Sequence, residues 1–379
     1  MKKLFFVFAA FFFIASVVFA GSSRDSNTIY IGAIFPLSGG VAYYGAESRD
    51  GALLAMEEIN AAGGLLGKNL RLILEDDEGK AEKNIDAFNR LASRSRTGIV
   101  IGSSTSGTTQ AITELAQAGG VLLISPSATS INITNAGDYI FRACFIDPFQ
   151  GVVGADFAYD TLHSRRAAVL YDAGADYNAG LADAFRTQFR SLGGLIVADA
   201  PYQTGDVDFG AQVTFIKAAN PDVVYLPNYY NDVTLQARQL RAQGVNCALL
   251  GGDGWDNLID RAGDEVLNGF WSSGFASDTT DPKGVVFVRA FQARFNRPAS
   301  QFAALGYDTM MLVADSIKAA NSFDPADVRN AMAAINGSYV TGNIRFDSNR
   351  NPIKGAAILE IVRKDGKLAN SFRSMVNPR

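Results

Sequence analysis

The sequence predicts an α/β protein made of two doubly wound units in succession. Strand-like and helix-like segments alternate through most of the 379 residues. Several of the strand-like segments, such as TGIVI at 97–101 and VVYL at 223–226, are continuous apolar runs, which suits a parallel sheet covered on both faces. The rhythm also begins twice, from residue 29 and again after 139–146, and a chain of this length has room for two cores of ordinary size.

In the first unit, strands are expected at 29–35, 69–76, 97–101 and 121–124, with helices at 47–62, 80–94 and 108–118 between them. Gly63-Gly64 gives the first helix a natural stop. In the second unit, strands at 167–171, 195–202, 223–226 and 248–250 alternate with helices at 178–192, 208–220 and 232–243. The tail departs from this alternation, with helices at 285–295, 301–319 and 325–335 ahead of strands at 343–346 and 356–362.

The first twenty residues stand apart. Lys2 and Lys3 precede an apolar run over 4–19 broken only by Ser16, which closes on Val18-Phe19-Ala20 before Gly21. That order predicts a secretory signal cleaved at Ala20/Gly21, and the run is short for a membrane span of roughly 20 residues. No cysteine follows it, so lipid attachment there is not expected. Without this segment the chain holds 32 basic and 38 acidic residues, a net charge of −6, which argues against nucleic acid or an anionic membrane surface as a partner. Cys144 and Cys247 lie about a hundred residues apart and are expected to stay unpaired in a chain with this much core. His163 is the one histidine, so a histidine-based metal site is excluded and a Ser-His-Asp hydrolase would have to use it.

In open parallel sheets the ligand sits outside the carboxyl ends of the strands, where loops lead into helices. The corresponding loops are PLSGGVAYYG (36–45), GSSTSGTTQ (102–110) and SPSATS (125–130) in the first unit, and DAGADYNAG (172–180), PNYYND (227–232) and GGDGWDN (251–257) in the second. Between Arg96 and Asp138 the only charged side chain is Glu114, so the first set offers hydroxyls and backbone amides alone. Amides at a helix start point outward unpaired, and residues 106–109 form a cradle for a small anion. Ser106 or Thr108 capping its own helix is the plainer alternative. In the opposite unit Asp253 stands between glycines, either as the partner of a cation or as a turn aspartate. Tyr43, Tyr44, Tyr177, Tyr229, Tyr230 and Trp255 either wall an apolar group or simply pack. An anion cradle, a facing carboxylate and aromatics between them describe an amino acid.

The mature chain resembles the periplasmic amino-acid-binding proteins of ABC transporters, of the leucine/isoleucine/valine-binding type. The likeness rests on IGAIFPLSGGVAYYG, GALLAMEEINAAGGLLGKNLRLILEDDEG, VIGSSTSGTTQ, ISPSATS, DYNAGLADAF and LGGDGW taken together. It implies a type I binding protein, with two Rossmann-like lobes joined by three crossovers near 143–147, 272–276 and 338–342. Lobe I would comprise 27–143 plus 275–339, and lobe II 144–274 plus 340–379. By motif position, Ser106 and Thr129 would hold the ligand's α-carboxylate, Ser127 would offer its carbonyl to the α-ammonium, and Asp253 would be the acidic ammonium partner. Tyr44, Tyr177, Tyr229 and Phe302 would line the side-chain pocket, with Ser104 and Trp255 beside them. The resemblance further implies a periplasmic location, a monomer, an amino-acid ligand, an inner-membrane ABC permease as partner, no cofactor and no catalysis.

This chain departs from the branched-chain type at several points. That type has glutamate where Asp253 stands and apolar residues in place of Ser104 and Thr105, so here one wall is more polar. The bulky Trp255 follows Asp253-Gly254, and the family's disulfide positions are not cysteine here. Within the fold, the alternative ligand is an amide, a urea or an aromatic acid. An exported hydrolase is the alternative outside it, although no G-x-S-x-G elbow occurs; nor does a G-x-G-x-x-G follow a strand, as a dinucleotide site requires.

Overall fold

The computed structural model describes residues 27–94 and 97–378. The expected signal segment and its cleavage point therefore lie outside the described residues. The chain folds into two α/β lobes. Lobe I opens with β1 (Thr28–Phe35), α1 (Ala42–Ala61), β2 (Asn69–Asp76), α2 (Ala81–Asn89), β3 (Ile99–Gly102), α3 (Ser106–Gly119), β4 (Leu122–Ser125) and β5 (Ile140–Arg142). Its sheet is all parallel, in the order β2-β1-β3-β4-β5.

Lobe II contains α4 (Asp147–Asp156), β6 (Arg166–Asp172), α5 (Asp176–Ser191), β7 (Leu195–Tyr202), α6 (Gly210–Ala219), β8 (Val223–Leu226), α7 (Tyr230–Ala242), β9 (Ala248–Gly251), α8 (Leu258–Arg261) and β10 (Gly269–Ser273). The chain then returns to lobe I for α9 (Pro282–Phe295), α10 (Gln301–Ala320), α11 (Pro325–Ala333) and the hairpin β11 (Asn336–Tyr339) and β12 (Gly342–Arg345). It ends in lobe II with β13 (Ala356–Lys364) and β14 (Lys367–Val376), which add antiparallel to β10 and complete the order β14-β13-β10-β9-β8-β6-β7.

The apolar strands are buried on both faces, because successive side chains point to opposite sides. In lobe I, Ile99 and Ile101 enter one core and Val100 the other. In lobe II, Val224 and Leu226 face one core, Val223 and Tyr225 its opposite. Among the described residues no helix is long and apolar enough to cross a membrane.

Three crossings join the lobes. The first passes between Cys144, in a lobe I core, and Phe145, in a lobe II core. The second leaves β10 at Ser273 and reaches Phe275, which packs with Phe287 and Phe291 of α9. The third is displaced from the expected 338–342. Those residues form the β11–β12 hairpin, whose Ile344, with Phe346 just beyond it, packs in the lobe I core. Arg350 then donates to the Thr134 and Ile140 carbonyls of lobe I, so the crossing lies at 353–355. The stretch 340–352, assigned to lobe II by the resemblance, therefore belongs with lobe I.

Candidate functional site

The site is built on helix starts. Four of the loops are shorter than the sequence suggested: α1 begins at Ala42, α3 at Ser106, α5 at Asp176 and α7 at Tyr230, which places Tyr44 and Tyr177 in first turns and Tyr229 just before one. Phe302 is likewise in the first turn of α10. Helices α1 and α10 cross with their backbones nearly touching. A Cβ at Gly51 would come within 1.9 Å of the Ala303 carbonyl oxygen, and one at Gly306 within 2.1 Å of that of Ser48. This close approach lets the Tyr44 and Phe302 rings stack at 4.3 Å between centroids.

A small cavity lies between the lobes, lined by Tyr44, Ser104, Ser106, Ser127, Thr129, Tyr177, Tyr229, Asp253, Gly254 and Phe302. Nine of the ten residues singled out in the sequence line it. Trp255 does not: its indole N–H donates to the Leu226 carbonyl at 2.9 Å and its ring is buried in the lobe II core.

The lobe I end of the cavity is a layer of hydroxyls. The Ser106 hydroxyl accepts the Ser130 N–H at 3.1 Å, and the Ser127 hydroxyl donates to the Ser104 carbonyl at 2.7 Å. Ser106 does not cap α3. The cap position is Thr105, whose hydroxyl meets that of Thr108 at 2.7 Å. The amides at the start of α3 thus remain directed outward, as a helix start requires.

The lobe II end holds Asp253, only 4% exposed. The Tyr177 hydroxyl donates to its carboxylate at 2.9 Å, and its backbone N–H donates to Gln150 Oε1 at 2.6 Å. Burial pushes its carboxyl up to about 6, while Tyr177 and Gln150 pull it back toward ionisation. Any side chain at Gly254 would come within 3.0 Å of the Tyr177 hydroxyl, so this turn needs glycine there. Between the two ends, Tyr229 stacks on Tyr177 at 4.9 Å, and Tyr44 packs on Tyr229 at 5.7 Å. The Tyr44 hydroxyl donates across the cleft to the Gly254 carbonyl at 2.6 Å.

Sequence reasoning missed the amides that support this arrangement. Gln150 Oε1 also accepts the Ser272 hydroxyl at 2.7 Å, and Gln301 Nε2 donates to the Asp253 carbonyl at 2.7 Å. Neither belongs to a motif or a loop, so no local signal marks them. His163 is exposed, before β6 and away from the cavity lining. Among the described residues no cluster of His, Cys, Asp or Glu could hold a metal ion, and Cys144 and Cys247 are both free thiols.

Known proteins share this architecture. The periplasmic binding protein family matches residues 28–367. The Leu/Ile/Val-binding protein BraC3 of Rhizobium johnstonii is 34% identical over 318 residues, covering 83% of this chain and 85% of that one. Among solved structures, the leucine binding protein LivK from Thermotoga maritima has a TM-score of 0.87 and 30% identity, over 92% of this chain and 99% of that one. LivJ from Streptococcus pneumoniae, in complex with isoleucine, has a TM-score of 0.85 and 33% identity, over 93% and 100%. By sequence across most of its length, and by its two type I lobes, the chain belongs to the periplasmic binding protein family.

Proposed function

We propose that this chain is an extracytoplasmic solute-binding protein that captures an amino acid between its closing lobes and delivers it, unchanged, to an ABC transporter permease. The observation that carries this reading is a cavity whose polar ends come from different lobes: hydroxyls and outward amides on one side, a buried carboxylate on the other. Ser106 and Thr129, with the first amides of α3, hold the α-carboxylate. The Ser127 carbonyl and the Asp253 carboxylate receive the α-ammonium. Tyr44, Tyr177, Tyr229 and Phe302 wall an apolar, branched or aromatic side chain, and Ser104 adds one polar spot. Relatives named for leucine, isoleucine and valine, and a similar structure holding isoleucine, support this ligand class. Export through the segment 1–20 to the periplasm, and action as a monomer, complete the proposal.

The test is a thermal shift against the common amino acids, after unfolding and refolding to remove any carried-over ligand. Ligand at a hundred times its Kd adds roughly 2.7 kcal/mol of stability, a readily visible shift. A response to benzoate or short amides with none to any amino acid would replace this reading with its runner-up.

A further inference from the structure

Beyond the ligand cavity, lobe II sets one more carboxylate against lobe I. Asp256 follows β9, three residues after Asp253, and is 6% exposed. Its Oδ2 accepts the backbone N–H of Gln301, the first residue of α10, at 3.1 Å. Its Oδ1 accepts the Asn257 N–H at 3.0 Å and, at a longer 3.4 Å, the hydroxyl of Tyr43 on α1. Gln301 returns the contact with its side chain: Nε2 donates to the Asp253 carbonyl, and Oε1 accepts the Gly274 N–H at the second crossing, at 2.8 Å. The first N–H groups of a helix have no partner within it. Asp256 therefore gives Gln301 an acceptor that exists only when the lobes meet.

The charges around Asp256 do not balance. From lobe I it faces Tyr43 and Glu47 of α1, with Asp50 one turn beyond; Asp260 of its own lobe also bears on Tyr43. Of the lobe I cations nearby, Arg297 pairs with Glu47 and Asp50, and Arg49 with Asp50, while Arg261 of lobe II lies beside Tyr43 and Tyr230. Among the described residues none forms an ion pair with Asp256. Closing thus strips water from a carboxylate without an ion-pair partner, which disfavours its ionised form. Burial first, and Glu47 second, push its carboxyl up to about 7.

We propose that Asp256 is the latch of the closed lobes, seated on the start of α10, and that closing is coupled to proton uptake at this carboxyl. This rests on the ligand-binding reading insofar as ligand drives closing. Asp256 is absent from the cavity lining, so it acts on the ligand only through the closed geometry. With the lobes open, a hydrated aspartate titrates near its ordinary value of about 4. Closing raises that value, so protons favour the closed form between roughly pH 4 and 7, and affinity rises as pH falls through 7. Asp253 opposes this at lower pH, because its protonation removes the charge offered to an ammonium. That effect is common to wild type and to Asp256 variants and cancels in their ratio.

The experiment follows L-isoleucine binding by calorimetry and stopped flow at pH 6 and pH 8 for wild type, Asp256→Asn and Asp256→Ala. The asparagine keeps one oxygen to accept the Gln301 N–H and removes the charge. The wild-type Kd, divided by that of Asp256→Asn, should fall about fivefold or more between pH 8 and pH 6. Asp256→Ala should release isoleucine on the order of tenfold faster, with its association rate within about threefold of wild type. A pH-independent ratio, or an unchanged release rate in Asp256→Ala, overturns the proposal. Wild type that does not bind isoleucine would instead exclude a branched side chain of that shape and leave the amino-acid reading to the thermal-shift panel. The latch is then decided by amide exchange at Gln301 in chains saturated with the compound that gives the largest thermal shift, slower in wild type than in Asp256→Ala if the latch forms, and equal in both if it does not.

Discussion

The Tyr177 hydroxyl donates to the Asp253 carboxylate at 2.9 Å while its oxygen accepts the Gly254 N–H at 3.1 Å. One phenol thereby fixes both the rotamer of the carboxylate and the turn that carries it. With Gln150 on the backbone N–H of Asp253, the carboxylate is aimed before any ligand contact is made.

Asp253→Asn should keep this geometry, since an amide oxygen can still accept from Tyr177. What it removes is the countercharge for an ammonium stripped of water. Truncating one member of a buried charge pair costs about 3 to 5 kcal/mol, chiefly through the charge left unpaired. Amino-acid affinity should therefore fall by roughly a hundredfold or more, at about tenfold per 1.4 kcal/mol. Calorimetry with the best amino acid and its deaminated analogue checks this, because equal losses for both would show that Asp253 does not read the ammonium.

Much of the site was legible because of where parallel sheets put their loops. The apolar runs at 97–101, 121–124, 223–226 and 248–250 marked strands that end at Gly102, Ser125, Leu226 and Gly251, and the small polar segments after the first two supplied the hydroxyl layer. Trp255 was misread for a physical reason: a tryptophan in a glycine-rich turn reads the same whether it faces the cleft or the core. Here Gly251 decides, since a Cβ there would sit 2.0 Å from the indole, and its absence lets the ring fold back over β9. Gln150 and Gln301 were illegible because their partners lie 103 and 48 residues away. The third crossing was misplaced because the short β11–β12 hairpin reads as a linker until Ile344 and Phe346 are seen in the lobe I core.

Ser106→Ala tests the anion cradle. Its hydroxyl lines the cavity and accepts the Ser130 N–H, which ties the SPSATS loop to the start of α3. Removing a hydrogen bond to a charged ligand group costs about 1.5 to 3 kcal/mol. Affinity should drop by about ten- to a hundredfold. Wild-type affinity in calorimetry would leave Ser106 a purely structural link between two loops.

Trp255→Phe separates core from site. The variant loses ring volume in the lobe II core and takes one of two donors from the buried Leu226 carbonyl, which still accepts the Asn228 N–H at 2.8 Å. The lost ring volume and the one lost hydrogen bond together should lower unfolding stability by about 1 to 3 kcal/mol. Because the indole does not line the cavity, the ranking of amino acids by affinity should be preserved. Urea unfolding and a ligand panel on the same preparation check both halves, and an altered ranking would place the ring in the binding surface after all.

Lys354 ties the crossings together and offers the clearest stability test. It lies on the third crossing, 4% exposed, and its ammonium donates to the Ala143 carbonyl of the first crossing at 3.2 Å and to the Thr341 hydroxyl. That hydroxyl in turn donates to the Asp308 carboxylate at 2.6 Å, which also accepts the Val340 and Thr341 N–H groups. Burial pushes the Lys354 ammonium down to about 8, and the Asp308 charge is the main influence holding it up. Lys354→Met removes the cation from this relay and leaves Asp308 a buried carboxylate facing none, which should cost about 3 kcal/mol. Asp308→Asn in the same chain removes that charge as well. If the two groups are coupled, the double variant should be about 1 to 2 kcal/mol more stable than the sum of the single losses predicts. Strict additivity in urea unfolding would mean that Lys354 matters only for the Ala143 carbonyl, and that the carboxylate is held by its three hydrogen bonds alone.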